Sequence, residues 1–385
     1  MSVGKNERSA AMKMMEKVQY KLWKSLFKRL LARGIIDRSG RLFVPQFPHR
    51  PYSAHGQQYE TLVAVNGFGY SGSSTIADIL SEFDCTTVLA NVNKHGSQRD
   101  RTDTCLETDF IRNAFGVFDL ERAFMSRSQS QRDIAVKLFM HLICYTYKFG
   151  ENFYTDEFIR LTRDFIDSIV KFKIDTPVSF VFAPYLDSIG EVASDLSEAG
   201  RCHPVVSMLK DISVSEYRKL AKKYLVSFFK SIPSKKYLVL DQVLADGTCD
   251  LERYEDYVGK YKLIAVYRDP RDVYVQSRRC GYSWVAKNVD DFCWWYRFQL
   301  APYIGRKDHR LLMLRFEDIV YRYDQSLAKI MDFLNLHSSQ HINAGRGFLA
   351  SASAKNIGLW RNCEYEHEVS IIKDLLAEYC YGDGV

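Results

Sequence analysis

The chain has 385 residues, 46% of them hydrophobic and 26% charged, which suits one globular α/β core carrying an insertion. No apolar run approaches the roughly 20 residues needed to cross a bilayer, so a membrane-spanning reading is excluded. The formal charge is +6, but residues 1–50 hold 12 Lys and Arg against 3 acids, and the rest of the chain holds 41 against 44.

Within that basic front end, Met15, Val18, Leu22, Leu26 and Leu30 recur at helical spacing with Lys17, Lys21, Lys24, Lys28 and Arg29 between them, and Gly34 is a plausible stop. Residues 1–45 are therefore expected to form a basic amphipathic helical segment. Two readings stand for it: a surface helix docked on its own core, or peripheral contact with an anionic membrane. Nucleic acid is not the expected partner. The start shows no secretory signal pattern, and the nine cysteines are odd in number with no C-x-x-C pair, so a cytoplasmic location is expected, with the inner membrane face as the place for any peripheral contact.

A linker over 50–56 precedes Thr61-Leu62-Val63-Ala64-Val65, a short apolar run suited to a buried parallel strand. Similar runs follow at 237–240, 263–267 and 311–314, with a weaker one at 178–182. Strands alternating with helices imply a three-layer α/β domain over 58–385, its central sheet mostly parallel and its ligands at the carboxyl ends of the strands. Residues 120–232 read as a largely helical insertion, with amphipathic helices expected over 132–147 and 156–171.

Straight after the first strand comes Asn66-Gly67-Phe68-Gly69-Tyr70-Ser71-Gly72-Ser73-Ser74-Thr75, and Ile76, Leu80 and Phe83 continue at helical spacing. A glycine-rich strand-to-helix turn directs backbone N–H groups inward and favours an anion. Gly67-x4-Gly72 fits the spacing of a P-loop, yet Ser73 stands where an ATPase carries lysine, so an ordinary ATP-hydrolysing loop is disfavoured. A second segment, Val266-Tyr267-Arg268-Asp269-Pro270-Arg271-Asp272-Val273, leaves a strand and enters a helix, with Gln276 and Ser277 two turns on. A guanidinium at a sheet's ligand edge suits a phosphate monoester.

Together these segments resemble the PAPS-dependent sulfotransferase family, with its Ser-Gly-Thr-Thr-like loop and Arg-x-Pro-x-Asp-Val segment. Leu314-Arg315-Phe316-Glu317-Asp318-Ile319 is similar to the family's R-Y-E-D-L strand and helix, and Asn356-Ile357-Gly358-Leu359-Trp360-Arg361 to its C-terminal G-x-W segment. The resemblance covers 61–83 and about 235–375 and implies a P-loop-type sheet with PAPS as co-substrate and no metal. It implies that Gly69, Tyr70, Ser71, Gly72, Ser73, Ser74 and Thr75 cradle the 5′-phosphosulfate. Arg268 with Gln276 or Ser277 would take the 3′-phosphate, together with Lys355, Trp360 and Arg361. Two departures stand out: Tyr70 occupies the place of the family's loop cation, and the family's serine falls at Gln276, one residue before Ser277. The family places its general base downstream of the loop, where Glu107 is the first candidate, beside Asp109, and His95 the rival; Lys94 is a candidate replacement cation.

The expected activity is sulfuryl transfer from PAPS to a hydroxyl, with a glycan or lipid-linked saccharide as acceptor. Trp284, Trp294, Trp295 and Tyr296 are candidate sugar-stacking residues or core. The alternatives are a divergent P-loop kinase or NTPase, for which Asp241 at the end of its strand would hold magnesium, and a nucleotide-binding protein without turnover.

Overall fold

The computed structural model describes residues 59–89, 117–125, 161–175 except 163 and 166, 205–244 except 233, 250–281 and 285–382. The basic segment over 1–45, the helix expected over 132–147, the strand expected over 178–182 and the candidates Lys94, His95, Glu107 and Asp109 lie outside them, as does Trp284. The chain divides into two compact units, one holding 116–231 with the first 53 residues, the other holding 54–115 and 232–385.

The second unit carries the parallel sheet. Its strands are β1 (Thr61–Gly67), β2 (Thr86–Leu89), β5 (Tyr237–Asp241), β6 (Tyr261–Tyr267) and β7 (Leu311–Arg315). They lie in the order β2-β5-β1-β6-β7, every pairing parallel. Four of the five coincide with the apolar runs at 61–65, 237–240, 263–267 and 311–314. β1 is central, and Leu62, Val63, Ala64 and Val65 are all fully buried, so both faces of the strand must be apolar and no alternation is seen.

On one face Val63, Val65, Val239, Ile264 and Val266 pack with side chains of α1 (Ser74–Leu80), α7 (Phe316–Tyr321) and α8 (Tyr323–Leu334). A separate cluster joins α5 (Pro270–Cys280), α6 (Val289–Leu300) and α10 (Glu366–Leu375) to Phe68, Tyr70, Tyr267 and Met313. Helix α4 (Leu251–Val258) precedes β6, and α9 (Ala350–Ala354) leads into the C-terminal turn. Local chemistry sets the ends of α5: the Asp269 carboxylate caps it, Pro270 supplies a compatible first φ, and Gly281 closes it in the left-handed region.

The first unit contains α2 (Val117–Met125), helical residues within 161–169, β3 (Val170–Asp175), β4 (Val205–Leu209) and α3 (Val214–Lys230). Tyr217 donates to the Val117 carbonyl at 2.8 Å, and Arg218 pairs with the buried Glu121 at 2.8 Å, tying α3 to α2. The helix expected over 156–171 stops at 169, because Val170, Phe172 and Ile174 alternate with polar residues and β3 pairs antiparallel with β4. That two-stranded sheet was not anticipated in a stretch read as helical. No described helix is long and apolar enough to cross a membrane.

Candidate functional site

β1 delivers its chain at the carboxyl edge of the sheet, and the next six residues curl into a loop before α1. Tyr70 (φ 67°) and Gly72 (φ 83°) are both left-handed and flank Ser71. Alternation of left- and right-handed backbone turns consecutive N–H groups toward one side and produces an anion-binding concavity. The curl is held by Ser71 N–H donating to the Phe68 carbonyl at 2.9 Å and Thr75 N–H donating to the Gly72 carbonyl at 3.1 Å.

Two glycines are required by this curl. A Cβ on Gly67 would lie 2.1 Å from Ser71 Oγ, and one on Gly72 would lie 2.4 Å from the Phe316 ring. Ser71 Oγ is buried, in a side chain only 1% exposed, and has no hydrogen-bond partner. A buried hydroxyl without a partner costs about 1–3 kcal/mol.

Gln242, just past β5 and itself left-handed at φ 59°, fastens the loop from the side. In the amide orientation that matches donors to acceptors, its nitrogen donates to the Gly67 carbonyl at 2.8 Å and its oxygen accepts from Ser73 Oγ at 2.6 Å and Gly67 N–H at 3.2 Å. Sequence reasoning missed this residue; its only signal was a position one past Asp241, at the end of an apolar strand.

Arg268, at the end of β6, is 2% exposed and ties two distant segments to the neighbouring α5. Nη1 donates to the Tyr70 carbonyl at 3.1 Å and to Gln276 Oε1 on α5, while Nη2 donates to the Asn356 carbonyl. Burial pulls its pKa down, opposed by Asp272, Glu317 and Asp269. The two segments singled out by sequence thus touch, through a guanidinium bond to a loop carbonyl. The same bonds occupy both terminal nitrogens with protein groups, while Nε is buried without a partner. Ser277 also faces inward, 1% exposed, and donates to the Tyr274 carbonyl at 2.7 Å.

The carboxylates beside Arg268 pin the C-terminal segments. Asp269 accepts from the Tyr381 N–H at 2.8 Å and forms a buried pair with Arg271 at 2.7 Å. The Arg271 guanidinium lies 3.8 Å from the Trp360 ring centroid, a cation–π contact. Asp272 accepts from the Gly358 N–H at 2.9 Å and the Trp360 N–H at 3.4 Å. Trp360 therefore packs on Arg271, while Lys355 and Arg361 on either side of this turn are exposed. Glu317 is fully buried and accepts from the Asp269 N–H at 2.9 Å.

Of the aromatic candidates, Tyr296 is core, Trp295 meets Phe68 edge-on at 5.5 Å, and Trp294 is 67% exposed and stacked on Phe298.

Two carboxyls near the loop titrate high. Burial, with Asp241 and Glu82 adding repulsion, pushes Asp78 on α1 up to about 7, and burial pushes Glu317 up to about 7. Both bind a proton more tightly in the folded chain than in the unfolded one. Their contribution is full below the unfolded carboxyl pKa and is lost as pH rises through about 7. Thermal unfolding followed from pH 4 to pH 8 should therefore show falling stability, the Asp78 share being up to about 4 kcal/mol. Asp78→Asn should flatten that decline, and an unchanged pH profile in this variant would refute the assignment.

No family model matches the sequence, and no curated protein does. Among solved structures the chain is similar to a sulfotransferase domain from the curacin biosynthetic pathway, with TM-score 0.34 and 11% identity over 84% of this chain and 98% of that one. It is also similar to a sulfotransferase from Mycobacterium avium, with TM-score 0.35 and 12% identity over 84% and 76%. A third is a sulfotransferase domain from the Synechococcus olefin synthase, with TM-score 0.31 and 10% identity over 83% and 96%.

Proposed function

We propose that this protein transfers a sulfuryl group from PAPS to a hydroxyl of an acceptor, a glycan or lipid-linked saccharide. The observation that carries the reading is the bond from Arg268 to the Tyr70 carbonyl, which joins the loop suited to one phosphate group to the segment suited to another. Backbone N–H groups of the loop and the hydroxyls of Ser71, Ser73, Ser74 and Thr75 would hold the 5′-phosphosulfate. The absence of a loop lysine removes the usual grip on β and γ phosphates. A 3′-phosphate reaching Arg268 replaces the Asn356 carbonyl as acceptor, a charge-assisted bond in place of a neutral one. Lys355 and Arg361, exposed beside that turn, add positive charge.

In the transfer itself the acceptor oxygen attacks sulfur in line, the bond from sulfur to the phosphate oxygen breaks, and its electron pair leaves with the 5′-phosphate of PAP. The hydroxyl proton passes to a base, assigned first to Glu107 with His95 and Asp109 as alternatives. Tyr70 cannot steady the leaving phosphate as a cation does, and Lys94 is the candidate for that task. The basic segment over 1–45 would bring the enzyme to the anionic inner face of a membrane carrying its acceptor.

A second reading, a magnesium-dependent kinase or NTPase, is favoured by one observation: Asp241, at the end of β5, is close enough to raise the pKa of Asp78 on the helix after the loop. Titration calorimetry separates the two. Binding of PAP and PAPS in EDTA, with no binding of magnesium-ATP, is expected; the reverse preference would replace sulfuryl transfer by phosphoryl transfer. Glu107→Ala should then bind PAP normally and lose turnover by about 10²- to 10⁴-fold, and wild-type turnover in it would remove Glu107 from the mechanism.

A further inference from the structure

The chain just past β5 is stitched to the end of β1 residue by residue. Gln242 N–H donates to the Val65 carbonyl at 2.7 Å. Asn66 Nδ2 donates to the Leu244 carbonyl, while its Oδ1 is buried with no partner, so the amide nitrogen alone makes that stitch. The Gln242 side chain then meets Gly67, its nitrogen donating to the carbonyl at 2.8 Å and its oxygen accepting from the N–H at 3.2 Å, and it accepts a third bond from Ser73 Oγ at 2.6 Å. Gly67 opens the curl and Ser73 closes it, so one amide holds both ends. Those ends are in contact already: a Cβ on Gly67 would lie 2.8 Å from Ser73 Cβ. Val243 and Leu244, both buried, root the segment in the core.

Two features set Gln242 apart from a residue that merely packs. Its backbone is left-handed at φ 59°, a conformation that costs an L-residue energy and persists only where the surroundings impose it. Ser73 stands at the N-cap of α1, yet its φ of −58° and ψ of −34° are helical and its hydroxyl caps nothing in its own helix. Gln242 is what fixes that hydroxyl. An anion loop held closed at its base need not be ordered when the anion binds, and affinity rises by the ordering avoided. We propose that Gln242 is a positioning residue for the anion, setting the curl through Gly67 and Ser73 without touching the ligand itself. The proposal rests on reading the curl as the phosphate site of a sulfuryl-transfer enzyme, and it adds to that site a residue from outside the loop.

The test is calorimetry with PAP and with pyrophosphate, paired with thermal unfolding, on the full chain as wild type, Gln242→Met, Gln242→Gly, Ser73→Ala and the double variant of Gln242→Met with Ser73→Ala. Methionine keeps the length of the side chain and loses the amide, so affinity for either anion should fall about 5- to 10-fold. In the Ser73→Ala background the same change should cost about threefold or less, because one of the two groups it acts through is gone. Glycine adopts φ 59° without strain, so Gln242→Gly should melt at or above Gln242→Met and yet bind no more tightly. A residue that served stability alone would show affinity following the melting temperature. Wild-type affinity in Gln242→Met, a fully additive loss in the double variant, or affinity that recovers with stability in Gln242→Gly would overturn the proposal, as would binding of neither anion by wild type. Binding of pyrophosphate but not PAP, with the two substitutions still coupled, would sink sulfuryl transfer and leave Gln242 its role at the anion loop.

Discussion

Gly72→Ala is expected to abolish PAP binding, with affinity falling by more than about 100-fold and the melting temperature dropping with it. The alanine must hold φ near 83°, which costs an L-residue about 1–2 kcal/mol. Its Cβ would also stand 2.4 Å from Cδ2 and 2.8 Å from Cε2 of Phe316, whose ring is itself buried. Overpacking of this kind costs about 1–3 kcal/mol when the neighbour must move. The easiest escape is to relax the turn at Tyr70 to Ser73, and that turns the N–H groups away from the anion. Gly281→Ala is the internal control. It is left-handed at φ 68°, but a Cβ added there would meet nothing within 4 Å, so it bears the backbone cost alone and should leave PAP affinity unchanged. Near-normal PAP binding by Gly72→Ala would mean that this curl does not form the anion site.

Arg268→Ala should weaken PAP binding by about 10- to 150-fold, the equivalent of losing a charge-assisted contact of about 1.5–3 kcal/mol, and should also lower stability. Two causes add. The loop loses its tie at the Tyr70 carbonyl and the C-terminal turn its tie at Asn356, while Asp272 and Glu317 lose the charge that offsets their burial. Removing one partner from a buried charged network costs more than the network contributes. Arg268→Lys tells the causes apart. A lysine restores the charge but presents a point donor that cannot meet Tyr70, Gln276 and Asn356 in one plane. It should recover part of the stability and little of the PAP affinity. Calorimetry and thermal unfolding on the three proteins check this, and wild-type PAP affinity in Arg268→Ala would detach this arginine from the nucleotide.

Much of the sheet was legible because its strands are buried on both faces. Continuous apolar runs such as Leu62 to Val65 and Tyr237 to Leu240 have few other uses in a chain of this composition. β2 escaped because Thr86-Thr87-Val88-Leu89 offers only two apolar residues and depends on pairing with β5 for its identity. β4 escaped for the same reason, being a short strand that finds its partner only across a long intervening stretch, whereas β3 carries its alternation openly in Val170-Lys171-Phe172-Lys173-Ile174-Asp175 and was overlooked behind the helix that precedes it. The helix read through Lys171 broke where alternation replaced helical spacing.

At the candidate site, residue type and place in the chain told where an anion would be met but not which way the donors point. Glycines and serines after β1 announce a phosphate loop because few other sequences make that turn, and an arginine at the end of β6 announces a charge at the ligand edge. Whether its guanidinium faces a ligand or the protein depends on carbonyls at Tyr70 and Asn356, each far away in sequence, and no local pattern encodes them. Gln242 and Asn66 are more extreme, since their neighbours in the chain say nothing of the groups they meet. Local spacing thus determined the parallel sheet, the loop and the charged edge. Only tertiary packing decided the direction of Arg268, the clamp by Gln242 and the unmet acceptor on Asn66, because hydrogen-bond geometry is set by groups that the fold, and not the chain, brings together.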